Sequence, residues 1–454
     1  MSSKSSKSIT DRFIDDLYNM SQEAFPDRVR DHAKKCLIDY IGVTLAGSKL
    51  LKGKVDELLL NFKSSNEGVR LIGLNRRANL HTAVLINGLL SHAADFDDGV
   101  RFGMMHPGSP IISTLLPLAE QQKLNGNDLL RGIIIGYEAS IRIARAIQPS
   151  HKELGFHATG TCGTIGAALG SAAMLKLSRS HFKNALSAAA TSASGILKMI
   201  DDGSDMKPYN AGQAAVSGLQ SVFSSIAGFN GPDEVLSGER GFLTMMSKSY
   251  NEDKLIREKN NSYCIEKIYM KPYAACRHSH SAIEAVLKLK SEFSIKPEDV
   301  EEIKIDTYHW AVGGHDHTII KGANSAKMST PFSVAVALYK GKANIQEFMP
   351  DQISNPDILE LTKKIKLVID HELTKLVPEK RAAIIEINTK DQQRFTKRVD
   401  YPKGEPENPI TLDEIKEKLV SLSTFAGKLP NEADEITNCI LNIEDRLDDL
   451  YNFL

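Results

Sequence analysis

The sequence predicts a mainly α-helical protein with a smaller α+β second domain, and three observations carry that expectation. Apolar residues recur at helical spacing almost without a break up to about Gly241. Between Pro297 and Tyr401 the texture changes, and polar and apolar residues alternate in three stretches in the manner of half-buried strands. From Thr411 onward the helical pattern returns. A large all-helical domain built from both chain ends, residues 1–267 and 406–454, is therefore expected to carry an inserted α+β lid at residues 268–405 with an antiparallel sheet. A chain of 454 residues is too long for one ordinary core, which suits this division.

Each element has a local reason. The polar opening Met-Ser-Ser-Lys-Ser-Ser-Lys-Ser reads as disordered, and no apolar signal segment follows it. Pro26 stands where a first-turn proline belongs, followed at i, i+3, i+4 spacing by Val29, Ala33, Cys36, Leu37, Tyr40 and Ile41. Residues 83–90 form an apolar helical run. Asn127-Asp128 opens another helix, with a broad stripe from Leu130 through Tyr137 to Ala144. Further helices are expected at 163–177, 181–197 and 211–227, rich in Ala, Gly and Ser, which lets enclosed backbones approach closely. In the lid, strands are expected at 297–308, 381–390 and 393–401, the last two joined as a hairpin at Asp391-Gln392. Helices lie between them at 279–293, 331–339 and 357–366, and Thr411-Leu-Asp-Glu is a capping-box start for the closing helices. No repeat of 20–50 residues is present.

Composition excludes several function classes. Lysine plus arginine (56) nearly balances aspartate plus glutamate (57), so the chain as a whole has no charge bias toward nucleic acid or an acidic membrane. Any anion site must be a local pocket. The five cysteines are scattered without a CxxC pair, which argues against a zinc ribbon or a disulfide framework and fits a reducing compartment. No apolar run is long enough to span a bilayer, and a cytoplasmic location is expected.

Four segments concentrate reactive groups. In Ser91 to Pro110, three carboxylates (Asp95, Asp97, Asp98) follow an apolar helix and lead to His106-Pro107, whose proline favours an extended, loop-like histidine. A histidine there, near acidic neighbours, is a candidate general base. Gly155-Phe-His157-Ala-Thr-Gly-Thr161-Cys-Gly-Thr offers hydroxyls and backbone N–H groups at a helix start, which attract a carboxylate. Lys207 stands just ahead of another helix. Finally, Lys271-Pro-Tyr-Ala-Ala-Cys276-Arg277-His278-Ser-His280 gathers two cations, two histidines and a thiol at the proposed domain boundary. Arg277 could depress the Cys276 thiol, and the His-x-His pair could suggest metal, though residues two apart on a helix face different sides. Taken singly, each segment also has a plain structural reading as a capped helix end or a solvated face.

In this order, the D-F-D-D and H-P pair, the F-H-x-T-G-T-C-G-T segment, the M-K-P, the K-P-Y-x-x-C-R-H-x-H run and the late P-K-G-E-P-x-N-P loop resemble the MmgE/PrpD superfamily. It includes 2-methylcitrate dehydratases, cis-aconitate decarboxylases and iminodisuccinate epimerases. The resemblance implies a homodimer without metal or organic cofactor that acts on a small di- or tricarboxylate. By position it implies Asp95, His106, His157, Lys207 and Lys271 as catalytic residues, with Thr161, Cys276, Arg277 and His280 binding substrate. The chain departs from the decarboxylase pattern at Gly99 (threonine), Cys276 (histidine) and Phe332 (tyrosine), with one extra residue before His106. Asn210 replaces a histidine, and H-P-G-S-P differs from the dehydratase H-P-S-D-N. These departures set it nearer the epimerase-like and uncharacterised branches.

The chemistry so implied is proton abstraction next to a carboxylate: the lysines hold carboxylates and stabilise the enolate-like charge, a histidine takes the proton, and Asp95 orients an imidazole. Epimerisation or dehydration follows according to where the proton or a β-hydroxyl goes. Three alternatives stay open: a cis-aconitate-type decarboxylase, a member that binds polycarboxylates without turnover, and a metal-dependent hydrolase using His278, His280, His315 and His317.

Overall fold

The computed structural model describes residues 7–257 and 262–454, with backbone alone at 201–203. Residues 1–6 of the polar opening lie outside it; Ser8 already caps the first helix, Ile9–Gln22, accepting from the Asp11 N–H.

At the centre of the helical body lies Ala158–Met174, a helix with no exposed residue. Its sequence explains how it can be surrounded. A Cβ on Gly166 would sit 2.7 Å from the Gly136 carbonyl oxygen, and one on Gly170 would sit 2.7 Å from that of Gly132. The Gly126–Ile147 helix therefore lies backbone to backbone against it. On another side the Met206–Ile226 helix approaches as closely, through Gly218. The small-residue composition thus serves close helix packing, as expected.

Three helix boundaries move. The central helix starts at Ala158, five residues earlier than the apolar pattern suggests, because its first turns are built from threonine and glycine. Arg179–Ser192 stops short of residue 197, and Gly195 then adopts a φ of 143°, open only to glycine. Met206–Ile226 begins before Lys207, which places that lysine inside the first turn rather than ahead of it.

The helical part is not wholly helical, since Val69–Leu71 pairs antiparallel with Arg76–Ala78, and the larger, four-stranded sheet is mixed, not purely antiparallel. Its strand order is Ile365–Ile369, Val300–Thr307, Ala383–Thr389, Arg394–Val399; the first pair is parallel, the other two antiparallel. Ile365–Ile369, where no strand was expected, overlaps the last two residues of the helix expected at 357–366 and follows directly after the helix Pro356–Lys363. His280–Phe293 and Thr330–Lys340 cover one face, and their apolar residues join those of the strands in one core cluster. Leu412–Ala426 opens with the expected capping box between Thr411 and Glu414 and packs along Asp27–Leu50, so the chain's end returns to its beginning. No helix among the described residues is long and apolar enough to cross a membrane.

Candidate active site

The Leu80–Ala93 helix ends two residues before Asp95, whose φ of 50° is the left-handed region that Asp tolerates better than most side chains. Such a turn persists only where its surroundings hold it. Here the hold is electrostatic. Lys207 and Lys271 both donate to Asp95 Oδ1, at 2.7 and 2.8 Å, and Lys271 also donates to the Asp95 carbonyl at 2.6 Å. Burial alone would raise this carboxyl, yet the two ammonium groups hold it well below the usual range. The two lysines therefore meet Asp95 rather than standing open to a ligand.

A cation from the Leu412–Ala426 helix brings the two segments together. Lys418 donates to the carbonyls of Phe96 and Lys271, at 2.8 and 2.9 Å, and to Asp39 Oδ1 at 2.6 Å. The late motif serves the same junction. A Cβ on Gly404 would come within 1.8 Å of the Met270 carbonyl oxygen, so only glycine lets the loop cross there. Glu405 then accepts from Arg101 and Arg277, at 2.8 and 2.6 Å.

His106 and His157 face a cavity of about 310 Å³ that Asp95, Lys207, Lys271 and Cys276 also line. Their tautomers follow from their partners. His106 Nδ1 lies 2.6 Å from the Asp98 carbonyl oxygen, and His157 Nδ1 lies 2.8 Å from Asn210 Oδ1. Both oxygens can only accept, so each Nδ1 carries the proton and each Nε2 keeps a lone pair. The Asn210 amide nitrogen donates to the Ser194 carbonyl, which fixes which end faces His157. Burial pushes the His157 imidazole down to about 3, and it pushes His106 well below the ordinary value despite the opposing Asp97 carboxylate. Both rings are neutral bases at neutral pH.

Of the remaining expected residues, Cys276 and Arg277 line this cavity, and Thr161 and His280 do not. Thr161 is wholly buried one turn into its helix, its hydroxyl engaged by His151 Nε2 at 2.8 Å. His280 is wholly buried, between the Arg277 guanidinium at its Nδ1 and the Ala275 carbonyl at its Nε2. Arg277 spends its donors on Glu405, His280 and the Lys403 carbonyl, which leaves it a positioning residue. It does not activate the thiol: burial raises Cys276, as does Asp95, against the pull of Lys207 and Lys271.

Two departures from the family pattern gain a structural reason. A Cβ on Gly99 would stand 2.3 Å from the Tyr269 hydroxyl, so the Tyr269 ring, which lines the cavity, fills the space a threonine would need. Phe332 is buried in the core that the four-stranded sheet shares with its helices, beside Phe348, and does not line this cavity.

Sequence reasoning missed several groups. Lys152 lies over the Trp310 ring, 4.9 Å from its centroid, and burial lowers it to about 8. Arg381 lines the same cavity and donates to the Arg101 carbonyl. His92 Nδ1 donates to Asp97 Oδ2, 2.7 Å away, its ring centroid 5.0 Å from that of His106 and its buried Nε2 without a partner among the described residues. Only its place three residues before Asp95 hinted at a role. Lys327 lines an adjoining cavity.

Two groups have possible ligand atoms within 4.8 Å of one another: Cys276, His278 and His315, and His92, Asp97 and His106. The four-histidine set considered from sequence does not form, since His280 turns to the Ala275 carbonyl and His317 to that of Ser325. Around His278, burial lowers the imidazole first and Lys152, His315, Arg381 and Lys207 lower it further. A cavity this rich in cations suits an anion.

The MmgE/PrpD N-terminal domain model matches residues 13–254 and the C-terminal domain model residues 273–444. The chain belongs to the MmgE/PrpD family. Among its relatives are the cis-aconitate decarboxylases of Homo sapiens, 24% identical over 97% of this chain and 92% of the relative, of Aspergillus terreus, 24% over 95% and 92%, and of Mus musculus, 23% over 91% and 86%. Membership of this family supports enzyme status. These MmgE/PrpD relatives are decarboxylases, whereas the departures at Gly99, Cys276 and Phe332 pointed toward other branches.

Proposed function

We propose that this protein is a cofactor-independent lyase or isomerase that removes a proton from carbon next to a carboxylate of a small di- or tricarboxylate. The observation that carries the proposal is the pair of neutral imidazoles, each with Nδ1 spent on a fixed acceptor and Nε2 without a hydrogen bond among the described residues, in a cavity lined by lysines. A carbon acid beside a carboxylate loses its proton only if the added negative charge is met where it forms. Lys207 and Lys271 supply that charge, with Asp95 as the counter-ion they share until substrate arrives. The His106 or His157 Nε2 takes the proton, and the new N–H is then the acid that returns it. Tyr269, Cys276 and Lys152 border the space into which the substrate would extend.

The test is exchange of the substrate α-proton in deuterated water, followed by proton NMR across citrate, 2-methylcitrate, cis-aconitate and iminodisuccinate. His106→Ala or His157→Ala is expected to slow exchange about 10²–10⁴-fold. Exchange retained in both variants would refute the base assignment.

A second reading, decarboxylation, is favoured by the similarity to cis-aconitate decarboxylases. It forms a different carbanion, with one carboxylate fewer, when the C–C bond breaks and CO2 leaves, and a proton then adds to that carbon; it is recognised by CO2 release from cis-aconitate without prior proton exchange. Turnover that survives removal of all metal sets the metal-dependent hydrolase aside, and sedimentation reads the homodimer.

A further inference from the structure

Beside the histidine-lined cavity lies a second one of about 320 Å³, and Asp95, Ile200, Lys207 and Met328 line both. The Asp95–Lys207 ion pair is thus a shared wall. No role in proton transfer is open on the far side through His106 or His157, which line only the first cavity. The far side instead presents Lys327, from the short helix Ala323–Met328.

Three lysines among the described residues are buried: Lys34, Lys271 and Lys327. Lys34 donates to the Leu441 carbonyl and pairs with Glu444; Lys271 is held by Asp95. Lys327 is 2% exposed, and its ammonium makes no hydrogen bond or ion pair among the described residues. Lys54 and Asp205, which also line this cavity, pair with each other and leave it only the influence of Asp95, whose carboxylate Lys207 and Lys271 already engage. A buried, unpaired ammonium is a cost to the folded state. The wall makes it worse, since Lys207, Lys271 and Lys327 surround one carboxylate, Asp95. Burial lowers Lys327 to about 8, in keeping with a charge that still lacks its partner.

We propose that Lys327 binds a carboxylate of the substrate remote from the reacting carbon, and so selects polycarboxylates over monocarboxylates. The reading rests on the proposed function for the identity of the reacting end. A molecule whose reacting carbon faces His106 and His157 reaches Lys327 by passing the Asp95–Lys207 pair, along Ile200 and Met328, which both cavities share. On its far side the cavity continues to Lys321 and Asn324, so a longer chain would also be accommodated.

Two variants test it: Lys327→Met, close in size but uncharged, and Lys327→Arg. Calorimetry with citrate and with crotonate, a monocarboxylate, is combined with melting curves of the unliganded proteins. Lys327→Met is expected to weaken citrate at least tenfold, to leave crotonate unchanged, and to melt higher than the wild type without ligand, because an uncompensated charge is gone. Lys327→Arg is expected to keep citrate within a few-fold. In turnover, the loss falls on KM and not on kcat. Citrate binding unchanged in Lys327→Met, or absent from the wild type, overturns the proposal. So does a Lys327→Met protein that melts lower and loses both ligands equally, which would assign packing instead. If no substrate exchanges its proton while citrate binding still depends on Lys327, the proton-abstraction reading fails and the binding role stands.

Discussion

Asp95 and Asp98 stand three residues apart on one buried turn, and their chemistry runs in opposite directions. Asp95 meets two ammonium groups and is held as a carboxylate. Asp98 meets the Tyr137 hydroxyl, which donates at 2.7 Å, and the Gly108 N–H at 3.1 Å; burial raises it to about 7. Nearby Asp97 and Asp39 raise it as well. Depth does not separate the two; the sign of the partner does. The charged member faces the cavity, while the other ties the Gly108–Gln122 helix to the body and offers its backbone carbonyl to His106. One segment thus carries both a reactive anion and the structural support of a base.

Breaking the charged half has the largest expected effect. Asp95→Asn leaves Lys207 and Lys271 buried without a counter-ion, which costs about 3–5 kcal/mol of stability by the usual penalty for half of a buried pair. Chemical denaturation measures it, and activity is expected to fall with it. The double variant Asp95→Asn, Lys271→Met sharpens the point. Removing one of the stranded charges is expected to restore stability but not activity. If the double variant is no more stable than the single one, the ion pairs are not what holds the turn.

A smaller effect is expected at Gly99, next to Asp98. Gly99→Thr restores the residue of the decarboxylase pattern but drives its Cβ into the Tyr269 hydroxyl. Overpacking of this kind costs about 1–3 kcal/mol. Adding Tyr269→Ala is expected to recover most of the lost melting temperature, and failure to do so would show that the space is not shared.

The helical body was legible because its periodicity is long and consistent, and the four reactive segments were legible as clusters. What they converge on was not. Lys207 and Lys271 gain a role only when Asp95 is brought between them by Lys418, some 150 residues from Lys271 in sequence. Lys152, Arg381 and Lys327 are single cations in ordinary surroundings, and nothing local separates a solvated lysine from a buried one. The missed strand Ile365–Ile369 is five residues long, lies at a sheet edge and leaves Val368 and Ile369 exposed, so it lacks the alternation that marks a half-buried strand. The small-residue start of the central helix hid its first turn for a similar reason: glycine and threonine favour other conformations, and only the closeness of neighbouring backbones makes them helical here.

The quieter half of the comparison gives the smallest and most specific prediction. Asp98 takes up its proton more readily folded than unfolded, with a value near 7 against the ordinary 3.8. Its contribution to stability is therefore full below about pH 4 and is lost as pH rises through 7, because the unfolded chain releases the proton first. Asp98→Asn removes the titration while keeping an acceptor for Gly108 and the same backbone carbonyl for His106. Relative to the wild type, the variant is expected to gain melting temperature between about pH 4 and 7 and to level off above that, with proton exchange at the substrate carbon unchanged. A constant offset across that range would mean that Asp98 is already ionised in the fold, and that the two aspartates differ in position but not in charge.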